Sequence, residues 1–161
     1  MQPYQSRFTD QEWSLLVGLP ESVLSAASAA ETDTPRRTQA ENEAGLEAIS
    51  DGRVLGNKLV ETIASVLIER LGADPELGEE PAVAIVPDDP WAYANETIAR
   101  ARAARALLTA KVGKGDVGAY CHWLVTVAER VIAAANSGVG TERVTPAEFN
   151  FVHRLNVALE D

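Results

Sequence analysis

The stretch Val117-Gly118-Ala119-Tyr120-Cys121-His122-Trp123-Leu124-Val125-Thr126-Val127-Ala128-Glu129-Arg130-Val131-Ile132 decides the fold. Val117, Tyr120, Cys121, Leu124, Ala128, Val131 and Ile132 recur at intervals of three and four residues, which places them on one face of an α-helix. A strand would alternate every second residue, and this stretch does not. Gly113-Lys114-Gly115 before it and Asn136-Ser137-Gly138-Val139-Gly140 after it read as turns, with Asp116 as the expected helix cap.

The same period extends outward in both directions. Upstream, Asp89 caps and Pro90 opens a helix through Trp91, Ala94, Ile98, Ala101, Leu107 and Leu108 to Val112. Leu55, Leu59, Val60, Ile63, Val66 and Leu67 form another stripe, closed by Leu71-Gly72. Arg36 to Ser50, opened by Thr34 and Pro35, is acidic and alanine-rich, and predicts an exposed or marginal helix. Near the start, Thr9-Asp10-Gln11-Glu12 is a capping box that opens a helix carrying Trp13, Leu16 and Val17. Pro20 removes a donor and disfavours a helical Leu19, so a break or kink is expected there before Val23, Leu24 and Ala27 resume the stripe. A second capping box, Thr145-Pro146-Ala147-Glu148, begins a last helix with Phe149, Val152, Leu155 and Leu159 inward.

Two segments stand outside this pattern. Residues 1–8 lack periodicity and read as a flexible arm. Residues 73–89 combine three prolines, six acids and the apolar run Ala82 to Val86. They read as a long extended connector, with 82–86 left open between strand and coil. The expected fold is therefore all-α, a single-domain bundle of five to six helices over residues 1–161 with one Pro- and acid-rich connector.

Composition excludes several functions. The 161 residues hold 14 basic and 24 acidic side chains, a formal net charge of −10, which opposes phosphate-driven nucleic-acid binding. Residues 1–80 carry 6 basic and 15 acidic side chains (net −9), and the remainder 8 and 9 (net −1). The acidity thus belongs to one half, which would repel its own copies or attract a basic partner. One cysteine leaves no internal disulfide. No apolar run approaches the roughly 20 residues needed to cross a bilayer, and the first twenty residues lack a signal-peptide core. A cytoplasmic setting is expected.

Three stretches together resemble a group of small all-helical bacterial proteins. They are Phe8-Thr9-Asp10-Gln11-Glu12-Trp13, the Trp-bearing Ala/Val helix from Val117 to Ala135, and Val144-Thr145-Pro146-Ala147-Glu148. The resemblance implies a helical fold. That group has no assigned activity, so the resemblance implies no site residues.

Constellations with chemical potential are few. Cys121 and His122 are neighbours, but adjacent helical residues point about 100° apart, a poor geometry for a nucleophile and its base. Cys121 lies on the apolar stripe and reads as a small core residue. His122 and His153 have Ala119 and Asn150 three residues before them, so the Glu-x-x-His pattern of di-metal bundles is absent and no metal or cofactor is expected. Arg102 and Arg105 share a helix face beside Arg100 and read first as a solvated face or a contact for the chain's own acidic segments, and second as a receiver of a carboxylate, phosphate or acidic partner helix. Trp91, Tyr120 and Trp123 read first as core aromatics and second as the lining of a small-molecule pocket. The leading expectation is a non-enzymatic interaction or self-association module, with a homo-oligomer or another protein as partner. The alternative is a ligand-binding bundle or minor enzyme with a pocket at Trp91, Tyr120 and Trp123.

Overall fold

A computed structural model describes residues 5–29, 35–71, 89–136 and 146–160. Among these residues the chain is all-α. The helices are α1 (Asp10–Ala29), α2 (Pro35–Asp51), α3 (Lys58–Leu71), α4 (Pro90–Lys111), α5 (Lys114–Asn136) and α6 (Pro146–Leu159). Short 3-10 turns lie at Gln5–Arg7 and Gly52–Val54. The connector expected at 73–89, its candidate strand 82–86, the caps Thr34 and Thr145, Gly72 and the Phe149 side chain lie outside the described residues, apart from Asp89.

Helices α1 and α5 form a central pair, and each touches every other helix. Helices α2 and α3 pack on one flank of the pair, α4 and α6 on the other, and the flanks share no substantial contact. Leu16, Val17, Leu19, Leu59, Ile63, Leu108, Tyr120, Trp123, Leu124, Val131 and Leu155 are fully buried in one continuous core. The α5 stripe is as expected, but Trp123 and Val127 are also fully buried, because a central helix meets neighbours on more than one face.

Local signals set the helix starts. The Thr9 N–H donates to Glu12 Oε1 (2.8 Å) and the Glu12 N–H to Thr9 Oγ1 (3.2 Å), which is the capping box read from sequence. Asp89 accepts from the Ala92 N–H at 3.1 Å, with Pro90 at the first helical position. Asn57, not noticed in the sequence, caps α3 by accepting from the Val60 N–H at 3.1 Å.

Five expectations need correction. Of the break or kink expected at Pro20, the break is overturned, because Pro20 lies within continuous α1. In a helix the carbonyl of Leu16 would accept from residue 20, and Pro20 has no N–H to give. That carbonyl accepts instead from the Tyr120 hydroxyl at 2.8 Å. Second, α2 is not a marginal exposed helix: Gly45, Leu46, Ala48 and Ile49 are buried, mostly against α5. Its small residues allow close approach, since a Cβ on Gly45 would lie 2.5 Å from Leu24 Cγ and 2.9 Å from Val131 Cγ2. Third, Leu55 does not join the α3 stripe, because α3 begins only at Lys58 and Leu55 is exposed. Fourth, Asp116 does not cap α5, which starts two residues earlier. Fifth, Phe8 is not part of a loose arm: it is buried, with its ring 6.0 Å from that of Trp13.

Candidate functional site

The residues offered by sequence as ligand contacts separate into two groups. Tyr120 and Trp123 are core residues with no exposed surface, their rings 6.1 Å apart and edge-on. Their polar atoms are already engaged. Tyr120 donates to the Leu16 carbonyl, and Trp123 Nε1 donates to the Ala48 carbonyl at 3.1 Å. Ala48 lies in the last turn of α2, so the indole ties that helix end to α5. A Cβ on Gly52 would lie 2.8 Å from the same indole, so the residue that follows α2 must be glycine for the ring to sit there.

Trp91 is elsewhere in its surroundings and its chemistry. It is 65% exposed at the start of α4, with the Arg154 guanidinium 5.3 Å from its ring centre. Arg154 also donates to Asn95 Oδ1, which holds the cation against the ring. Arg102 is exposed and Arg105 half-buried on α4. Arg100 turns away from both and donates to Ser22 Oγ on α1 at 3.0 Å, and Ser22 in turn donates to the Gly18 carbonyl. The surface depression beside Arg100 is lined by Asp10, Gln11, Ser14 and Leu15. It contains none of the three residues Trp91, Tyr120 and Trp123.

Nucleophile and metal chemistry fare no better. Burial pushes the Cys121 thiol above its ordinary range, with Arg105 a smaller opposing influence, so it is a poor thiolate. His122 and His153 are exposed, and among the described residues no three His, Cys, Asp or Glu side chains gather as a metal site would require.

The feature that sequence reading missed lies between α2 and α3. Val54 is 80% exposed and Leu55 54% exposed, side by side on a turn with firm anchors at both ends. On one side Arg53 donates to the Ser50 carbonyl (3.3 Å) and to Ser50 Oγ (2.7 Å). On the other, Asn57 Nδ2 donates to Asp116 Oδ1 at 3.0 Å, joining the starts of α3 and α5. Gly56, at φ +86°, makes the reversal between Leu55 and Asn57 in a conformation that a side chain would strain. The Asp51-Gly52 break and Gly56 were the available signals; helical spacing had assigned Leu55 to the core instead. Around this turn, Lys58 and Lys114 are exposed, and Gly56, Gly113, Gly115 and Gly118 border open space.

At the opposite end of α4, Lys111 ties down the N-terminal turn. Its ammonium donates to Glu12 Oε1 at 2.7 Å and to the Arg7 carbonyl at 3.2 Å, and it stands 5.6 Å from the centre of the Phe8 ring. This arrangement explains Phe8-Thr9-x-x-Glu12-Trp13 as a structural latch. It has no feature of a reaction centre.

In comparisons with known proteins, the chain matches no family model, no curated protein and no solved structure. No helix among the described residues is long and apolar enough to cross a membrane.

Proposed function

We propose that this chain is a non-enzymatic helical interaction module that works through protein contacts, self-association included. The supporting observation is the Val54–Leu55 turn, which holds two large apolar side chains in solvent on a braced scaffold. Exposed apolar residues fixed by their surroundings are characteristic of contact surfaces. The chemistry-bearing candidates point the same way, because Tyr120, Trp123 and Cys121 are committed to packing. A small-molecule pocket at Trp91, Tyr120 and Trp123 has less support, since two of the three have no free polar atom and no exposed surface. The net charge of −10 disfavours nucleic acid as the partner. A lone, buried thiol fits a reducing, cytoplasmic setting.

Size-exclusion chromatography with light scattering, joined to mass spectrometry of co-purifying proteins, tests this reading. A concentration-dependent oligomer or a stoichiometric partner is the expected result. A strict monomer with no co-purifying protein would overturn it.

A further inference from the structure

We propose that the depression between α1 and α4 at Arg100 binds a small zwitterion, a free α-amino acid with an apolar side chain. This goes beyond the protein-contact reading and does not depend on it.

The Arg100 guanidinium is half-buried where α4 packs on α1. Its Nη1 donates to Ser22 Oγ at 3.0 Å, and its Nη2 lies over Gly18, where a Cβ would stand 3.6 Å from it. Burial raises the Tyr120 phenol, and the Arg100 charge opposes that push, so the cation sits close to the core. Among the described residues its hydrogen-bond partner is a neutral hydroxyl, and no carboxylate pairs with it. A partly buried guanidinium ordinarily faces an anion, since desolvating a charge without one is costly. Its planar fork suits a carboxylate, which it can hold by two parallel hydrogen bonds.

The rest of the depression defines the rest of the ligand. It offers about 440 Å³ and is lined, besides Arg100, by Asp10, Gln11, Ser14 and Leu15. That is the small end of the range for ligand sites and suits a molecule of amino-acid size. Asp10 is exposed and, among the described residues, forms no ion pair with Arg100 or with any other cation. One depression therefore holds a cation and an anion that do not neutralise each other. Asp10 repels a dianion such as phosphate, and Arg100 repels a simple amine. A molecule with an ammonium beside its carboxylate satisfies both, its carboxylate on Arg100 and its ammonium toward Asp10. Half-buried Leu15 gives the ligand's side chain an apolar wall, and Gln11 and Ser14 supply a polar edge.

The test adds leucine, its deaminated acid and its decarboxylated amine separately to the intact chain, read by titration calorimetry and amide NMR. Leucine should bind with a Kd on the order of 1 mM and shift the amides of Ser14, Leu15 and Gly18 and the Arg100 Nε signal. Each analogue should bind about fivefold more weakly, as loss of one partly exposed ion pair does. Asp10→Asn should erase the preference for leucine over the deaminated acid. Ser14→Trp, at an exposed position, should fill the depression and weaken leucine by at least about fivefold, with circular dichroism unchanged. No leucine binding at about 20 mM overturns the proposal, as does binding that Ser14→Trp leaves intact. Inorganic phosphate that outcompetes leucine at the same amides overturns it in favour of a simple anion site. Each of these failures leaves the protein-contact reading standing.

Discussion

The Tyr120 hydroxyl on α5 occupies the backbone carbonyl of Leu16 on α1 that Pro20 leaves without a donor. A side chain 104 residues away in sequence thus completes a helix interrupted by its own proline. Tyr120→Phe removes that donor and leaves a buried carbonyl unpaired, which should cost about 1–3 kcal/mol. Pro20→Ala in the Tyr120→Phe background supplies a main-chain N–H in its place and should recover part of the loss. Urea denaturation of the four chains in a double-mutant cycle measures the coupling; strictly additive effects would refute the replacement.

Burial holds the Tyr120 phenol well above its ordinary range, with Cys121 a smaller contribution in the same direction. The native state therefore favours the protonated phenol. Its stabilising contribution is fully present below the unfolded value, near pH 10, and is lost as pH rises past it. Thermal melts from about pH 8 to 11 should show a decline that Tyr120→Phe makes shallower. Cys121 behaves alike, so a thiol reagent should label it slowly in the native chain and rapidly in urea.

Two glycines should respond to alanine with opposite signs. A Cβ on Gly52 would stand 2.8 Å from the Trp123 indole and 2.9 Å from Ala64 Cβ, neither of which can move easily. Gly52→Ala should destabilise by about 1–3 kcal/mol through overpacking. Gly118 lies in α5 with nothing within 4 Å, so Gly118→Ala should stabilise by up to about 1 kcal/mol through helix propensity. Calorimetric melting temperatures should move down for the first and up for the second.

Lys111 lowers the Glu12 carboxyl below its ordinary value of 4.5, chiefly by hydrogen bonding, with the Thr9 N–H assisting. A lowered native value means stability present at neutral pH and lost as the medium falls through that range. Glu12→Gln and Lys111→Met should each flatten the acid limb of the stability profile between about pH 5 and 3. An unchanged limb in both would show that the latch contributes nothing in solution.

Trp91 should be the tryptophan most accessible to iodide quenching, and Trp91→Phe should abolish most of the quenchable emission. The fold should tolerate that change, because an exposed cation–π contact contributes only about 0.5–1 kcal/mol.

Signals carried within a few residues were legible in the sequence. The Thr9–Glu12 box, the Asp89-Pro90 start and the α5 stripe each state their geometry locally, and each forms as read. What escaped depends on partners distant in the chain. Nothing near Pro20 tells that Tyr120 will supply a donor. The Ala/Gly content of α2 reads as weakness until α1 and α5 are close enough to require small residues. Leu55 obeys helical spacing, yet Gly56 turns the chain before α3 begins. The candidate surface was hidden for the same reason, since a large apolar residue in step with a stripe is assigned to the core until a turn removes it.

Helices α2 and α3 rest on the central pair, and so do α4 and α6, but the two flanks scarcely touch. Each flank can therefore come away without dragging the other along. Amide hydrogen exchange should resolve two separate opening reactions of lower free energy than the global one, with α1 and α5 the last to yield. Engaging the turn at Val54 and Leu55 would slow exchange in α2, α3 and the central pair but leave α4 and α6 unchanged, so the pattern of protection would itself reveal which side of the molecule is held.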